Sequence, residues 1–231
     1  MGLQEMVERR TRFAAGGKEA TLYPARNASA PLVVLNVYDG DGSGVHQALR
    51  AIGSPDCSLL AVGELAWDRD LSPWASPAVM KGERPFEGGA DAYLEELLSE
   101  IIPEAEKRLS GTPVFRVIAG YSLAGLFALY SLCRTGEFSG AACASGSFWF
   151  PGAREFFLSH EFVRAPGKLY FSLGDREAAT RNPVLGTVQE NTEALVSHYR
   201  DLGVRVRWEL NPGNHFRDPS LRTAKGIAAV L

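Results

Sequence analysis

The stretch Val114-Phe-Arg-Val-Ile-Ala-Gly120-Tyr-Ser122-Leu-Ala124-Gly125-Leu-Phe joins an apolar run of strand length to an apolar run of helical length, with a serine at the bend. A serine raised on so sharp a turn can act as a nucleophile if the residues two before and two after it are small enough for the turn to close. Gly120 and Ala124 meet that condition. The bend would also set the N–H of Leu123 at a helix N-terminus, where a free amide and the helix dipole stabilise an oxyanion. Serine is also a common N-cap, so a plain strand-to-helix cap is the alternative, against which the strand before it and the apolar helix after it favour the nucleophile.

A serine hydroxyl needs a base, and the chain has four histidines, His46, His160, His198 and His215. With a nucleophile at a strand-to-helix bend, chain order runs serine, acid, histidine, and the histidine follows the last strand. His215 fits, because Asn211-Pro-Gly-Asn-His215-Phe is a turn-rich segment directly after an alternating run at 204–210. His198 falls within a helical pattern, His160 in a surface-like stretch, and His46 behind the loop that follows the first buried strand. The acid is expected after Lys168-Leu-Tyr-Phe-Ser-Leu-Gly174, where Asp175 and Glu177 stand. Glu177 is favoured as lying a few residues past the strand end, with Asp175 bracing the turn; Asp175 as the acid, or a Ser–His pair without one, stays open. A second oxyanion donor is sought in Asp39-Gly-Asp-Gly-Ser-Gly44, whose glycines allow close backbone approach, and the Asp41 N–H is the chosen group. That loop lacks the GK[ST] ending of a phosphate cradle and the oxygen spacing of a calcium loop.

These residues require a framework, and the chain supplies its pattern. Apolar runs at Pro31–Tyr38, Ser58–Val62, Val114–Ala119, Gly140–Ala144 and Lys168–Leu173 read as buried strands. The alternation of Val204, Val206, Trp208 and Leu210 with charged residues reads as a strand near a sheet edge. Helical spacing predicts helices over 91–109, capped at Asp91, stopped at Gly111 and kinked or divided by Pro103, and over 122–133, 187–200 and 221–230. Alternating strands and helices predict an α/β fold, a mostly parallel central sheet with helices on both faces, as one domain over residues 1–231. The segment 64–89 has no clear period and carries Pro73, Pro77 and Pro85, so it is expected to be a long loop over the site at the strands' carboxyl ends.

Composition narrows the chemistry. A chain of 231 residues with net charge −3 has no basic field for phosphate backbones, which argues against nucleic acid as a partner. Cys57, Cys133 and Cys143 show neither paired nor metal-ligand spacing and are read as reduced, the last two as core. The opening MGLQEMVERRTRF reads as neither an export signal nor an anchor, and no apolar run is long enough for a membrane span, so a cytoplasmic location is expected. The proposed chemistry calls for no metal or organic cofactor, and the oligomeric state is left open.

The chain resembles the putative-esterase family of α/β-hydrolases, which includes esterase D, feruloyl esterases, siderophore (enterobactin-type) esterases and mycolyltransferases. The resemblance rests on Ile118-Ala-Gly-Tyr-Ser-Leu-Ala-Gly-Leu126, Ala144-Ser-Gly-Ser-Phe-Trp149, Gly174-Asp-Arg-Glu177 and Asn211-Pro-Gly-Asn-His215. Asp68-Arg-Asp-Leu-Ser-Pro73 is similar to a family segment beside the substrate site. The resemblance implies a serine carboxylic-ester hydrolase, nearest the siderophore-esterase branch, working on a small-molecule ester. An anionic siderophore would call for clustered cations, with Arg69, Lys81, Arg84 and Arg176 as candidates. Trp67, Trp74, Phe86, Tyr121, Phe148 and Trp149 could wall an aromatic pocket, and the substrate-binding set chosen is Arg69, Tyr121, Trp149 and Trp74. Acyl transfer by the same residues and non-catalytic ligand binding are the rival functions.

Overall fold

The computed structural model describes residues 10–231; the first nine residues, on which most of the export reading above fell, lie outside the described residues. The chain opens on two strands, β1 (Thr11–Ala15) and β2 (Lys18–Tyr23), followed by β3 (Leu32–Asn36), α1 (Ser43–Ala51) and β4 (Ser58–Gly63). Next come α2 (Trp67–Asp70), β5 (Ala75–Ser76), β6 (Phe86–Glu87), α3 (Ala90–Glu96) and, after a wide turn, α4 (Ile102–Glu106). β7 (Arg116–Tyr121), α5 (Leu123–Arg134), β8 (Gly140–Ala144), α6 (Ala153–Ser159), β9 (Lys168–Gly174), α7 (Val188–Asp201), β10 (Arg205–Asn211) and α8 (Pro219–Val230) complete the described chain.

Eight strands form one sheet in the order β1-β2-β4-β3-β7-β8-β9-β10. The six from β4 to β10 run parallel, and β2 and β1 add to the β4 edge antiparallel. Strands β3, β4, β7, β8 and β9 are the buried apolar runs expected of a sheet covered on both faces. One face packs on α3, α4, α5, α6 and α7, the other on α1 and α8. Ten of the twelve residues of α5 are buried, which explains its almost wholly apolar sequence.

Some expectations shift. The β1–β2 hairpin was not anticipated, because Lys18 and Glu19 break its apolar pattern; Lys18 is nevertheless buried, its Nζ paired with Asp70 Oδ2 at 2.6 Å. The predicted 91–109 helix is divided by a π-helical turn over Leu97–Ile101, just before Pro103 in the first turn of α4. A proline ring clashes with the carbonyl four residues back, and a wide turn removes that clash. Asp91 does not cap, since the helix starts at Ala90; its carboxylate instead accepts from the Tyr130 hydroxyl and pairs with Arg134. At the β10 edge Val206 and Trp208 follow the alternation, whereas Leu210 is exposed and Glu209 turns to Lys225 and the Tyr170 hydroxyl. The 64–89 segment is not a bare loop, for it contains α2 and the antiparallel pair β5–β6.

Candidate active site

The site forms where the carboxyl ends of β3 and β7 lie side by side, the usual place for ligands in an open α/β sheet. β7 runs into α5 through Ser122, whose φ of 61° and ψ of −126° put a non-glycine residue in a sparsely allowed region. Holding it there costs on the order of 1–3 kcal/mol, which the buried α5 and its neighbours must offset. A Cβ at Gly120 would stand 2.3 Å from the Ala124 carbonyl group, so glycine is required for the strand and helix to meet this closely. Ser122 makes no side-chain capping bond, so its hydroxyl is not spent on the helix N-terminus.

That hydroxyl is 3.1 Å from His215 Nε2, and His215 Nδ1 is 2.7 Å from Glu177 Oε2. The second Glu177 oxygen accepts from the Ser145 hydroxyl at 2.8 Å, the Gly174 amide at 2.5 Å and Arg222 Nη1 at 3.0 Å. Burial pushes the Glu177 carboxyl up, but the bond from His215 and the attraction of its imidazole, with the Gly174 amide and Ser145, outweigh it and hold the group below the ordinary glutamate range. Glu177 is therefore a carboxylate fixed in one orientation. Asp175 faces away from the imidazole and accepts from the Gly213 amide at 2.8 Å, bracing the turn.

Two loops and a helix hold these groups in register. The β9 loop with Glu177 and the β10 loop with His215 are laced by Asp175 N–H to Asn211 O at 2.8 Å and Arg176 N–H to Gly213 O at 3.1 Å. Arg222, from α8, is 1% exposed and reaches Glu177, the Tyr121 hydroxyl, Ser145 and the Pro212 carbonyl. The Tyr121 hydroxyl donates to the His215 carbonyl at 2.7 Å, so Tyr121 braces the histidine loop from below. Arg222, Ser145 and Ser147 were missed in the sequence. An arginine in line with Gly226 and Val230 on the buried face of α8 was the available signal for the first.

Leu123 is the first residue of α5, a position with no intrahelical acceptor for its amide. On the β3 loop the Asp41 amide has no hydrogen-bond acceptor among the described residues. The Asp41 side chain turns outward to Arg10 at 2.9 Å and Arg12 at 2.6 Å, and its carbonyl accepts from Tyr23. Bonds from Ser43 and the arginine pair hold that carboxyl far below its ordinary range. The loop is thus tied by its side chain and carbonyl while its amide remains available.

A cavity of about 990 Å³ opens over Ser122, with Leu123, Asp41, Tyr121 and Trp149 in its lining. Trp67, Asp68, Met80, Gly82, Glu83, Arg84 and Phe86 bring the 64–89 segment against it. Two chosen residues are elsewhere. Arg69 is ion-paired with Asp70 at 2.8 Å and faces a separate hollow with Glu95, Glu96 and Glu100. Trp74 packs between Phe150 and Phe156 and donates to the Pro151 carbonyl at 2.9 Å. Phe148 is core. Arg69 and Trp74 follow an outward face of the α2 turn and a satellite of the core, directions that residue type alone does not set. Arg84 is the one lysine or arginine in the described lining, opposed by Asp39, Asp68 and Glu83. Burial raises the Asp68 carboxyl, against the attraction of Arg84. Of the other histidines, His46 stacks on Tyr23 at 4.4 Å, and His160 Nδ1 lies 2.9 Å from the Phe156 carbonyl.

Residues 60–194, more than half of the chain, match the model of the family described as Putative esterase. The protein YbbA of Bacillus subtilis (strain 168), described as uncharacterized, is 22% identical over 201 residues, 82% of this chain and 80% of its own. An IroE-like serine hydrolase from Shewanella oneidensis has a similar structure, with a TM-score of 0.75 and 18% identity over 95% of this chain and 78% of that one. The siderophore hydrolase EstA from Aspergillus nidulans superposes with a TM-score of 0.73 at 18% identity, covering 98% of this chain and 96% of its own. The shared architecture is the α/β-hydrolase fold.

Proposed function

The chain belongs to the Putative esterase family and is a carboxylic-ester hydrolase; from that premise we propose that it works through an acyl-enzyme on Ser122, with His215 as base and Glu177 as its orienting acid. The observation that carries this reading is the unbroken line from Glu177 Oε2 through His215 to Ser122 Oγ, at 2.7 and 3.1 Å. His215 Nε2 takes the Ser122 proton as Oγ adds to the ester carbonyl, and the carbonyl oxygen becomes an anion facing the amides of Leu123 and Asp41. Collapse breaks the bond to the alcohol, which leaves with the proton from Nε2. Water, deprotonated by the same nitrogen, then attacks the acyl carbonyl and releases the acid. The carboxylate of Glu177 stabilises the imidazolium in both halves without being protonated itself.

The substrate proposed is an ester with an aromatic or otherwise apolar acid or alcohol part. Trp67, Phe86, Tyr121 and Trp149 line the cavity, and its volume suits a drug-sized molecule. A siderophore trilactone is the second reading, favoured by the likeness to a siderophore hydrolase. The lining carboxylates oppose it in its anionic, iron-loaded form. Three unpaired cysteines support a reducing compartment, the cytoplasm; among the described residues no helix is long and apolar enough to cross a membrane. The test is a hydrolysis screen over p-nitrophenyl, aryl and feruloyl esters, thioesters and trilactones, with added alcohols to detect acyl transfer. Ser122→Ala should lose at least about ten-thousand-fold in kcat and all fluorophosphonate labelling. Labelling that persisted in this variant would place the nucleophile elsewhere.

A further inference from the structure

Ser147 follows β8 in the segment Ser145-Gly-Ser147 and is 1% exposed. Its amide donates to the Ser122 carbonyl at 3.0 Å, tying it to the nucleophile's own backbone. Its Oγ lies 3.2 Å from Ser122 Oγ and makes no other hydrogen bond among the described residues. The residue also borders the cavity. A buried hydroxyl whose one partner is the attacking oxygen calls for an account, since it neither braces a loop nor caps a helix.

Counting protons fixes the direction of that bond. When His215 Nδ1–H donates to Glu177, Nε2 is an acceptor and takes the single hydrogen of Ser122. The hydrogen between the two serines then belongs to Ser147, so its O–H donates to Ser122 Oγ. Resting on the acyl-enzyme reading above, we propose that Ser147 is a catalytic residue, a donor to the nucleophile oxygen that matters most when this oxygen leaves the acyl group.

The reason lies in how well Oγ accepts at each stage. In the acyl-enzyme it is the bridging oxygen of an ester and accepts weakly. As water's oxygen adds to the acyl carbon, its proton passes to His215 Nε2. The carbon–Oγ bond then breaks, its electron pair goes to Oγ, and the proton returns from Nε2 to Oγ. Ser147 keeps its own proton throughout and strengthens its bond as charge gathers on Oγ. In acylation the starting hydroxyl already accepts well, so the gain there is smaller. The bond therefore favours deacylation over acylation.

The experiment is stopped-flow hydrolysis of a p-nitrophenyl ester by the full chain, resolving the acylation burst from steady turnover. Fluorophosphonate titration of wild type first establishes that Ser122 is the nucleophile; failure there ends the acyl-enzyme reading itself, a separate outcome from anything Ser147 variants do. Ser147→Ala should fall about ten- to a hundred-fold in deacylation and less in acylation. kcat and KM then drop together, and a mass shift reveals accumulated acyl-enzyme. Ser147→Thr, which keeps the donor, should restore most of the deacylation rate. Should Ser147→Ala not fold, Ser147→Cys carries the test, its weak S–H donor giving the same pattern in milder form. Unchanged deacylation, a rise in either rate, or equal loss in Ala and Thr variants of wild-type unfolding midpoint would overturn the proposal.

Discussion

At the scale of single residues, the site depends on one carboxylate being held in one orientation. Glu177 has a side chain 4% exposed and accepts four bonds, from His215, Ser145, Gly174 and Arg222. Glu177→Gln keeps the shape but presents an amide to the imidazole, favouring the wrong tautomer. We expect kcat to fall roughly a hundred- to ten-thousand-fold, measured on a p-nitrophenyl ester with unfolding monitored in parallel. The same substitution has a pH signature. Because the folded carboxyl titrates below its unfolded value, it contributes stability that is fully present above the ordinary glutamate range, about 4.3, and is lost as pH falls through the lowered folded value. The stability gap between wild type and Glu177→Gln should therefore be widest near neutrality and narrow on acidification below about 4.3. A gap that grew toward low pH would contradict the assignment of Glu177 as a stabilised carboxylate.

At the scale of elements, His215 and Glu177 sit on separate loops that meet at two glycines. A Cβ on Gly174 would come 2.2 Å from the Gly213 carbonyl oxygen, and Gly213 has a φ of 104°, in the region that favours glycine. The β9 and β10 ends approach this closely because Gly174 has no side chain, while the positive φ at Gly213 suits glycine. Gly174→Ala should push the 211–215 segment away from Ser122 while leaving the parallel pairing of the two strands in place. The expected result is a kcat loss of about a hundred-fold with a modest drop in stability, because a displacement near 1 Å is enough to misplace a base. Amide exchange should quicken in the His215 loop and not within β9. Full activity in this variant would show that the glycine contact does not position the base.

At the scale of the whole molecule, the question is which esters the cavity admits. Of the carboxylates lining it, Glu177 is paired with Arg222 and Asp41 with Arg10 and Arg12, which leaves Asp39, Asp68 and Glu83 against the single cation Arg84 in the described lining. An anionic substrate would meet this excess near the mouth. Two unbalanced charges at about 10 Å, in a medium between protein and water, amount to about 1–2 kcal/mol. An aryl ester bearing a carboxylate should therefore show about a ten-fold lower kcat/KM than its neutral isostere, and the difference should shrink as salt rises. Equal rates at low ionic strength would remove charge as a selector.

What the amino-acid order determined by itself was the local chemistry and the alternation. The strand–serine–helix bend needs small residues at 120 and 124, and the buried strands need continuous apolar runs. Each of these is a constraint between near neighbours, so it is written locally. The tertiary structure alone decided which side chains meet. Arg222 reaches Glu177 across 45 positions and Ser147 reaches Ser122 across 25. Arg69 and Trp74, the right kinds of residue in the right segment, turned to other partners. The β1–β2 hairpin was hidden because its buried lysine is neutralised by an aspartate 52 residues away. Such pairings depend on how helices and loops stack on the sheet, and no local pattern carries that information.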